Sequence, residues 1–159
     1  MARRILLAYL IVLGALALLP LGAGAGRGAG PVVQAMPLAT ILAALARGLT
    51  LGTAVSVGGN LVAFVPLGLL APMASARWRS AGRVLALGLG VSLAIESAQL
   101  AISLALGDPY RRADVDDLLL NVLGTALGFG LYRLEATRRD RRASRAAPGP
   151  SLVSPSADR

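Results

Sequence analysis

Long apolar stretches alternate with short polar segments along the 159-residue chain. Four stretches are long enough for a helix to cross about 30 Å of hydrocarbon, which takes ~20 residues. Because backbone groups in lipid must be hydrogen-bonded within their own segment, we predict helices rather than strands. The four stretches are Ile5–Leu21, Leu49–Pro72, Val84–Leu106 and Val115–Leu134. This pattern predicts an all-α membrane protein, a bundle of four transmembrane helices.

A fifth apolar segment, Val32–Ala46, is short, contains Pro37 and runs directly into Arg47. The distribution of arginine decides how it is interpreted. With the N-terminus inside, four spans place twelve of the 16 basic residues on the cytoplasmic side, as the positive-inside rule favours. A fifth span would move the arginine-rich C-terminal segment outside. We therefore predict a short interfacial or re-entrant helix on the outer face, with both termini cytoplasmic.

These elements divide the chain into four predicted regions. Residues 1–22 form the first transmembrane helix, 23–48 an outer-face loop with the interfacial helix, and 49–135 a core of three transmembrane helices. The first helix also resembles a secretory signal, and we favour an uncleaved signal anchor. Residues 136–159, rich in Arg, Ala, Ser and Pro, are predicted to be a disordered basic tail attracting anionic lipid headgroups.

Composition narrows the chemistry further. The chain has no histidine and no cysteine, which excludes Ser-His-Asp and Cys-His catalysis, disulfides and the usual zinc sites. The net charge of +8 is not accompanied by interleaved aromatic residues, so we predict no nucleic-acid partner. No cofactor and no metal site are predicted either. Asp114-Val115-Asp116 is only superficially similar to a metal motif, because Asp116 is expected to face away from Asp114.

Polar side chains recur at helical spacing inside two of the predicted spans. At 100° per residue, one face of the third span carries Ser92, Glu96, Gln99 and Ser103. An ionisable residue at membrane depth is costly and often marks function, and Glu96 lies near mid-span. The structural alternative is a neutral Glu96 hydrogen-bonded to Gln99 or Asn60.

The fourth span repeats the pattern with Asp114, Asp117 and Asn121 on one face. Asp114 lies where a helix N-cap is expected. The second span adds Asn60. Counting ~1.5 Å per residue from the outer helix ends places Glu96 and Asn60 about 15 Å deep, below Asp114 and Asp117. Three helices thus aim polar groups at one outward-facing region.

Small residues predict two further packing surfaces. Gly124 and Gly128 form a GxxxG pair that permits close approach of another backbone. Gly90, Ala94 and Ala98 form a separate ridge on the third span, also suited to close helix packing.

Three strings carry a family resemblance: NLVAFVPLGLL, then Glu96-x-x-Gln99, then RRADVDDLLLNVLGTALG. Together, in this order, they resemble the VanZ-like family of small bacterial membrane proteins, which is linked to low-level teicoplanin resistance. The resemblance covers about Asn60 to Leu134, and it assigns nothing to the first helix, the re-entrant segment or the tail. The residues that match its pattern are Asn60, Phe64, Pro66, Gly68, Glu96, Gln99, Arg111, Asp114, Asp117, Asn121 and Gly124.

Two functions remain open. The first is a non-enzymatic protein of the bacterial plasma membrane that binds a cell-wall lipid intermediate or lipoglycopeptide, with Arg111 and Arg112 meeting its anionic group. The second is an intramembrane enzyme on a lipid-linked substrate, with Glu96 or Asp117 as general acid or base. A proton-coupled transporter is weaker, because four helices make a small pathway. The predicted ligand-binding residues are Asn60, Glu96, Gln99, Arg111, Asp114, Asp117 and Asn121.

Overall fold

The computed structural model describes residues 1–18, 33–46, 48, 51–106 and 113–146. Five α-helices account for most of them. In chain order the elements are α1 (Ala2–Leu18), β1 (Val33–Gln34), α2 (Ala39–Ala46), α3 (Leu51–Ala74), a 3₁₀ turn (Ala76–Trp78), α4 (Ala81–Leu106), β2 (Ala113–Asp114) and α5 (Val115–Ala146).

Three helices are long and apolar enough to cross a membrane, with qualifying segments Val57–Ala74, Ala81–Ala105 and Val115–Ala146. They correspond to the second, third and fourth predicted spans. The described part of α1 has 17 residues, and the last residues of the predicted first span lie outside the described ranges. A helical protein with three membrane-length helices is therefore established, and the fourth span stays a prediction.

The helices alternate in direction. α1 begins beside the end of α3, where Arg3 Nε donates to the Ala74 carbonyl at 3.3 Å. α1 ends beside α4, where Gln99 Nε2 donates to the Ala17 carbonyl at 2.9 Å. α1 therefore extends between both ends of the bundle, antiparallel to α3. We call the end with Arg3 the basic end and the end with β1 and β2 the strand end.

α3 and α5 run parallel and share the closest helix–helix contact. A Cβ added to Gly124 would collide with the Leu61 carbonyl, and one added to Gly128 with the Val65 carbonyl. Gly68 of α3 faces α5 with equally little space. The predicted GxxxG contact is thus confirmed, and its partner is α3.

The ridge of Gly90, Ala94 and Ala98 behaves differently. Gly90 and Ala94 are exposed and Ala98 is half-exposed. A Cβ added to Gly90 would meet no atom within 4 Å. Within the described part of the chain no helix packs against Gly90, because the polar stripe of α4 faces the interior instead.

Apolar contacts hold α1 against α3. Leu13 of α1 is buried with Phe64 and Leu67 of α3. Tyr9 Oη donates a hydrogen bond to the Ala63 carbonyl of α3. A side-chain donor thus meets a main-chain acceptor in an apolar setting, where an unpaired hydroxyl would be costly.

The segment predicted as an interfacial helix is only partly helical. Its first residues form β1, which pairs in parallel with β2 in the register Val33–Ala113 and Gln34–Asp114. Pro37 cannot donate a hydrogen bond, and the helix begins two residues later, at Ala39. A short helix is confirmed, although it is shorter than predicted.

The C-terminal segment corrects a prediction. α5 continues to Ala146, so the expected disorder from Ala136 onward is wrong as far as that residue. Extending an existing helix adds one hydrogen bond per residue without a new nucleus, and Arg and Ala are good helix formers. Arg139 Nε also pairs with Glu135 Oε1 at 3.0 Å, one turn away. Residues 147–159 lie outside the described ranges.

Candidate functional site

Asp116 fastens α2 to the start of α5. Its carboxylate accepts backbone N–H bonds from Leu38, from Thr40 at 2.8 Å and from Ile41 at 3.1 Å. The first N–H groups of a helix have no partner within the helix, and a carboxylate at this positive end satisfies them. These hydrogen bonds make Asp116 the N-terminal cap of α2, although it belongs to another helix. Its side chain is fully buried.

The backbone of α2 is strained at the same point. Leu38 has φ of 64°, in the left-handed region that costs a non-glycine residue roughly 1–2 kcal/mol. The Leu38 N–H bond to Asp116 and the helix that follows hold this conformation in place. A strained residue persists where its surroundings fix it, and such residues concentrate at functional sites.

Asp114 joins the three elements that meet at the strand end. Its Oδ1 accepts the Asp116 N–H at 2.9 Å, which confirms Asp114 as the N-cap of α5. Its Oδ2 accepts the Thr40 hydroxyl of α2, and its own N–H donates to Glu96 Oε2 of α4 at 3.2 Å. We call Thr40, Glu96, Asp114 and Asp116 the acidic junction.

A second group of polar residues continues from the junction toward the basic end. Asn121 Nδ2 donates to Ser92 Oγ at 2.8 Å, and the Thr125 hydroxyl donates to the Asn121 carbonyl at 2.9 Å. Asn121 Oδ1 is buried and accepts no hydrogen bond within the described part of the chain. We call Ser92, Asn121 and Thr125 the inner polar group.

The predicted stripe on α4 faces the bundle interior. Ser92, Glu96, Gln99 and Ser103 are each at most 8% exposed, which confirms the face assigned from helical spacing. Gln99 differs from the others in its partner, because its amide caps the last turn of α1. The hydrogen bond described for Gln99 therefore joins α4 to α1.

The structure does not show the depth difference that was expected between Glu96 and Asp114. The two residues are joined by a hydrogen bond, so they lie at the same level. α4 continues ten residues past Glu96, to Leu106, whereas α5 begins next to Asp114. Counting depth from the end of α4 therefore overestimates how far Glu96 lies below the start of α5.

Four predicted site residues remain: Asp117, Asn60, Arg111 and Arg112. Asp117 is half-buried in the first turn of α5. Asn60 is half-buried on α3, outside the hydrogen bonds of the junction and the inner polar group. Arg111 and Arg112 lie outside the described residues, immediately before Ala113 of β2 in the chain.

Comparison with known proteins settles the family. The model of the VanZ/LLP1 family matches residues 6–136. The chain belongs to the VanZ/LLP1 family. No curated protein and no solved structure matches it. The VanZ/LLP1 match is wider than the motif resemblance, because it also includes α1 and α2, to which the motifs assigned nothing.

The acidic junction of this VanZ/LLP1 domain binds main-chain and hydroxyl donors of its own chain. Both oxygens of Asp114 and both of Asp116 already accept hydrogen bonds. Within the described ranges, no group of three or more acidic residues is arranged to hold a metal ion. The N-termini of α2 and α5 supply positive partial charge to the carboxylates. These carboxylate oxygens therefore hold α2 and the start of α5 together.

Sequence reasoning missed Asp116 and Thr40 as members of this VanZ/LLP1 site. Asp116 was expected to point away from the polar face. It does so, and its carboxylate binds the start of α2 instead. The partners are separated by 76 residues in sequence, so no local pattern relates them. The one available signal was a carboxylate next to the Asp114 cap together with a threonine near the start of a short helix.

Proposed function

We propose that this protein is an integral membrane protein of the bacterial cell envelope that binds an anionic amphiphile at the strand end. The ligand class is a lipid-linked intermediate of cell-wall synthesis or a lipoglycopeptide such as teicoplanin. Binding changes the susceptibility of the cell to teicoplanin. Membership of the VanZ/LLP1 family and three membrane-length helices support the location.

The unpaired Asn121 Oδ1 is the observation that carries the proposal. An acceptor buried without a donor costs about 1–3 kcal/mol. It lies one helical turn below Asp117, on the helix that carries the junction, and its Nδ2 partner Ser92 is one turn from Glu96. Sugar hydroxyls and peptide N–H groups of the ligand supply the donors that Asn121 and Glu96 accept.

The anionic group of the ligand binds Arg111 and Arg112, which directly precede β2. A guanidinium matches phosphate and carboxylate with two parallel hydrogen bonds. The acyl chain lies along the lipid-facing side of α5, where Leu123 is exposed.

The proposed topology places the strand end outside. α1 crosses the membrane as a fourth span, and the basic end with both termini is cytoplasmic. Twelve of the 16 basic residues are then inside, in keeping with the positive-inside rule. In this topology α2 and the junction lie at the outer end of the bundle, toward the periplasmic or external side.

Teicoplanin susceptibility of a host that lacks the protein tests the proposal. Expressed at matched membrane levels, the wild type should protect and Glu96→Ala should lose most of that protection, because an acceptor of the ligand's donors is removed. Glu135→Ala is the matched control, since Glu135 is an exposed carboxylate paired with Arg139 on the far part of α5. It should protect like the wild type.

Equal protection by Glu96→Ala and the wild type would contradict the site. The enzyme alternative predicts a different result in the same cells, namely a lipid-linked compound that is converted only when Glu96 is present. Lipid profiles that are identical in the wild type and Glu96→Ala strains favour the binding protein.

A further inference from the structure

A groove on the lipid-facing side of α4 shares no residue with the acidic junction, although its Ala94 end is two residues from Glu96 along the helix. It has a volume of about 440 Å³ and is lined almost entirely by carbon. Its lining includes the small residues Gly90 and Ala94 and the larger apolar residues Leu87 and Val91. The lining is completed by Trp78, Arg83 and Ala86.

Trp78 and Arg83 line the groove at the basic end. Arg77, Arg79 and Arg83 are exposed around Trp78, and no carboxylate in the described ranges pairs with any of the three. The Arg77 guanidinium lies 4.4 Å from the centre of the Trp78 ring. Arg83 Nη1 donates to the Arg77 carbonyl at 3.2 Å, which orients Arg83 and leaves its other donors available.

The length of the groove matches one leaflet. Arg83 and Ala94 are eleven residues apart on α4, which is about 16 Å along the axis. Half of a hydrocarbon core of ~30 Å has nearly this depth. Tryptophan and arginine are typical of the membrane–water boundary, where headgroups lie.

We propose that this groove is a binding site for one anionic glycerophospholipid. The phosphate contacts Arg83 and Arg79, and one acyl chain lies along Leu87, Gly90 and Val91. Charge complementarity selects this occupant, because Arg83 lines an otherwise apolar groove and Arg77 and Arg79 flank Trp78 at its end. A neutral lipid would fill the same groove without using them.

Gly90 offers a variant that blocks the groove without disturbing the fold. Gly90→Leu places a side chain where a Cβ meets nothing within 4 Å, so the bundle should fold normally. Gly130→Leu is the matched control, since Gly130 of α5 is equally open. Arg83→Gln removes the headgroup contact, with Arg133→Gln on α5 as its control.

The experiment is native mass spectrometry of the purified full chain with an equimolar mixture of phosphatidylglycerol and phosphatidylcholine. The wild type should retain phosphatidylglycerol preferentially. Arg83→Gln should lower retention of phosphatidylglycerol about fivefold, the effect of one arginine near an anionic surface. Retention of phosphatidylcholine should fall less, because its choline cation offsets the phosphate charge. Gly90→Leu should lower retention of both lipids, and both controls should behave like the wild type.

Two results would overturn the proposal. Equal loss with Arg83→Gln and Arg133→Gln would mean that net charge rather than the groove attracts the lipid. A wild-type dimer that Gly90→Leu converts to a monomer, with no effect of Arg83→Gln on lipid retention, would assign the groove to a second copy of the chain. Neither result would affect the site at the strand end.

Discussion

Replacing Gly128 with leucine should separate α3 from α5 and destabilise the bundle. Among leucine substitutions at the glycines of α5, we expect this one to have the largest effect. A Cβ at this position would overlap the Val65 carbonyl and come within 2.9 Å of its carbon and 3.0 Å of the Leu69 nitrogen. All three are backbone atoms of α3, so no side-chain rotation relieves the collision. Overpacking a core costs typically 1–3 kcal/mol, and here we expect at least about 3 kcal/mol.

Thermal unfolding of the protein in detergent, followed by circular dichroism, measures this effect. A loss of ~3 kcal/mol corresponds to a midpoint lower by roughly 10 °C for a domain of this size. Gly130→Leu, two residues along the same helix, is the control because its Cβ has open space. If Gly128→Leu and Gly130→Leu unfold at the same temperature, the close α3–α5 contact is not present in the folded protein.

Asp116→Ala should release α2 while the rest of the bundle stays folded. The substitution leaves three N–H groups at the start of α2 without their carboxylate. Hydrogen bonds to a charged group contribute about 1.5–3 kcal/mol each, so we expect a local loss of several kcal/mol. Asp116→Asn keeps one acceptor oxygen and should give an intermediate effect.

Hydrogen exchange distinguishes this local release from general unfolding. The amides of Thr40 and Ile41 should exchange at least about tenfold faster in Asp116→Ala, while those of α3 keep the wild-type rate. Asp140→Ala, on the exposed part of α5, should change neither. Unchanged exchange at Thr40 and Ile41 in Asp116→Ala would show that another group holds α2.

Local periodicity was sufficient to predict the parts of the fold that depend on one helix. The 3.6-residue repeat placed Glu96 and Ser92 on an interior face, and both are buried. The N-cap at Asp114 follows from residue type and position alone. The pair Gly124 and Gly128 predicted close packing, but helical spacing alone does not say that α3 is the partner.

Contacts between segments distant in sequence could not be predicted. The parallel pairing of Val33 with Ala113 involves strands of two residues, too short for an alternating pattern. The Asp116 cap joins residues from opposite halves of the chain. The small-residue ridge at Gly90 is a further example. Its pattern identifies a surface that permits close approach of a helix, but it does not indicate whether this chain supplies that helix.

Direct binding measurements test best whether the polar residues at the strand end bind an amphiphilic ligand. Purified wild type, Glu96→Ala and Glu135→Ala are titrated in nanodiscs with teicoplanin and with a lipid-linked disaccharide-peptide of cell-wall synthesis. We expect saturable binding of at least one probe, weakened about tenfold or more by Glu96→Ala, because the substitution removes an acceptor of the ligand's donors, and unchanged by Glu135→Ala. Binding of neither probe, or equal binding by all three proteins, would contradict the account.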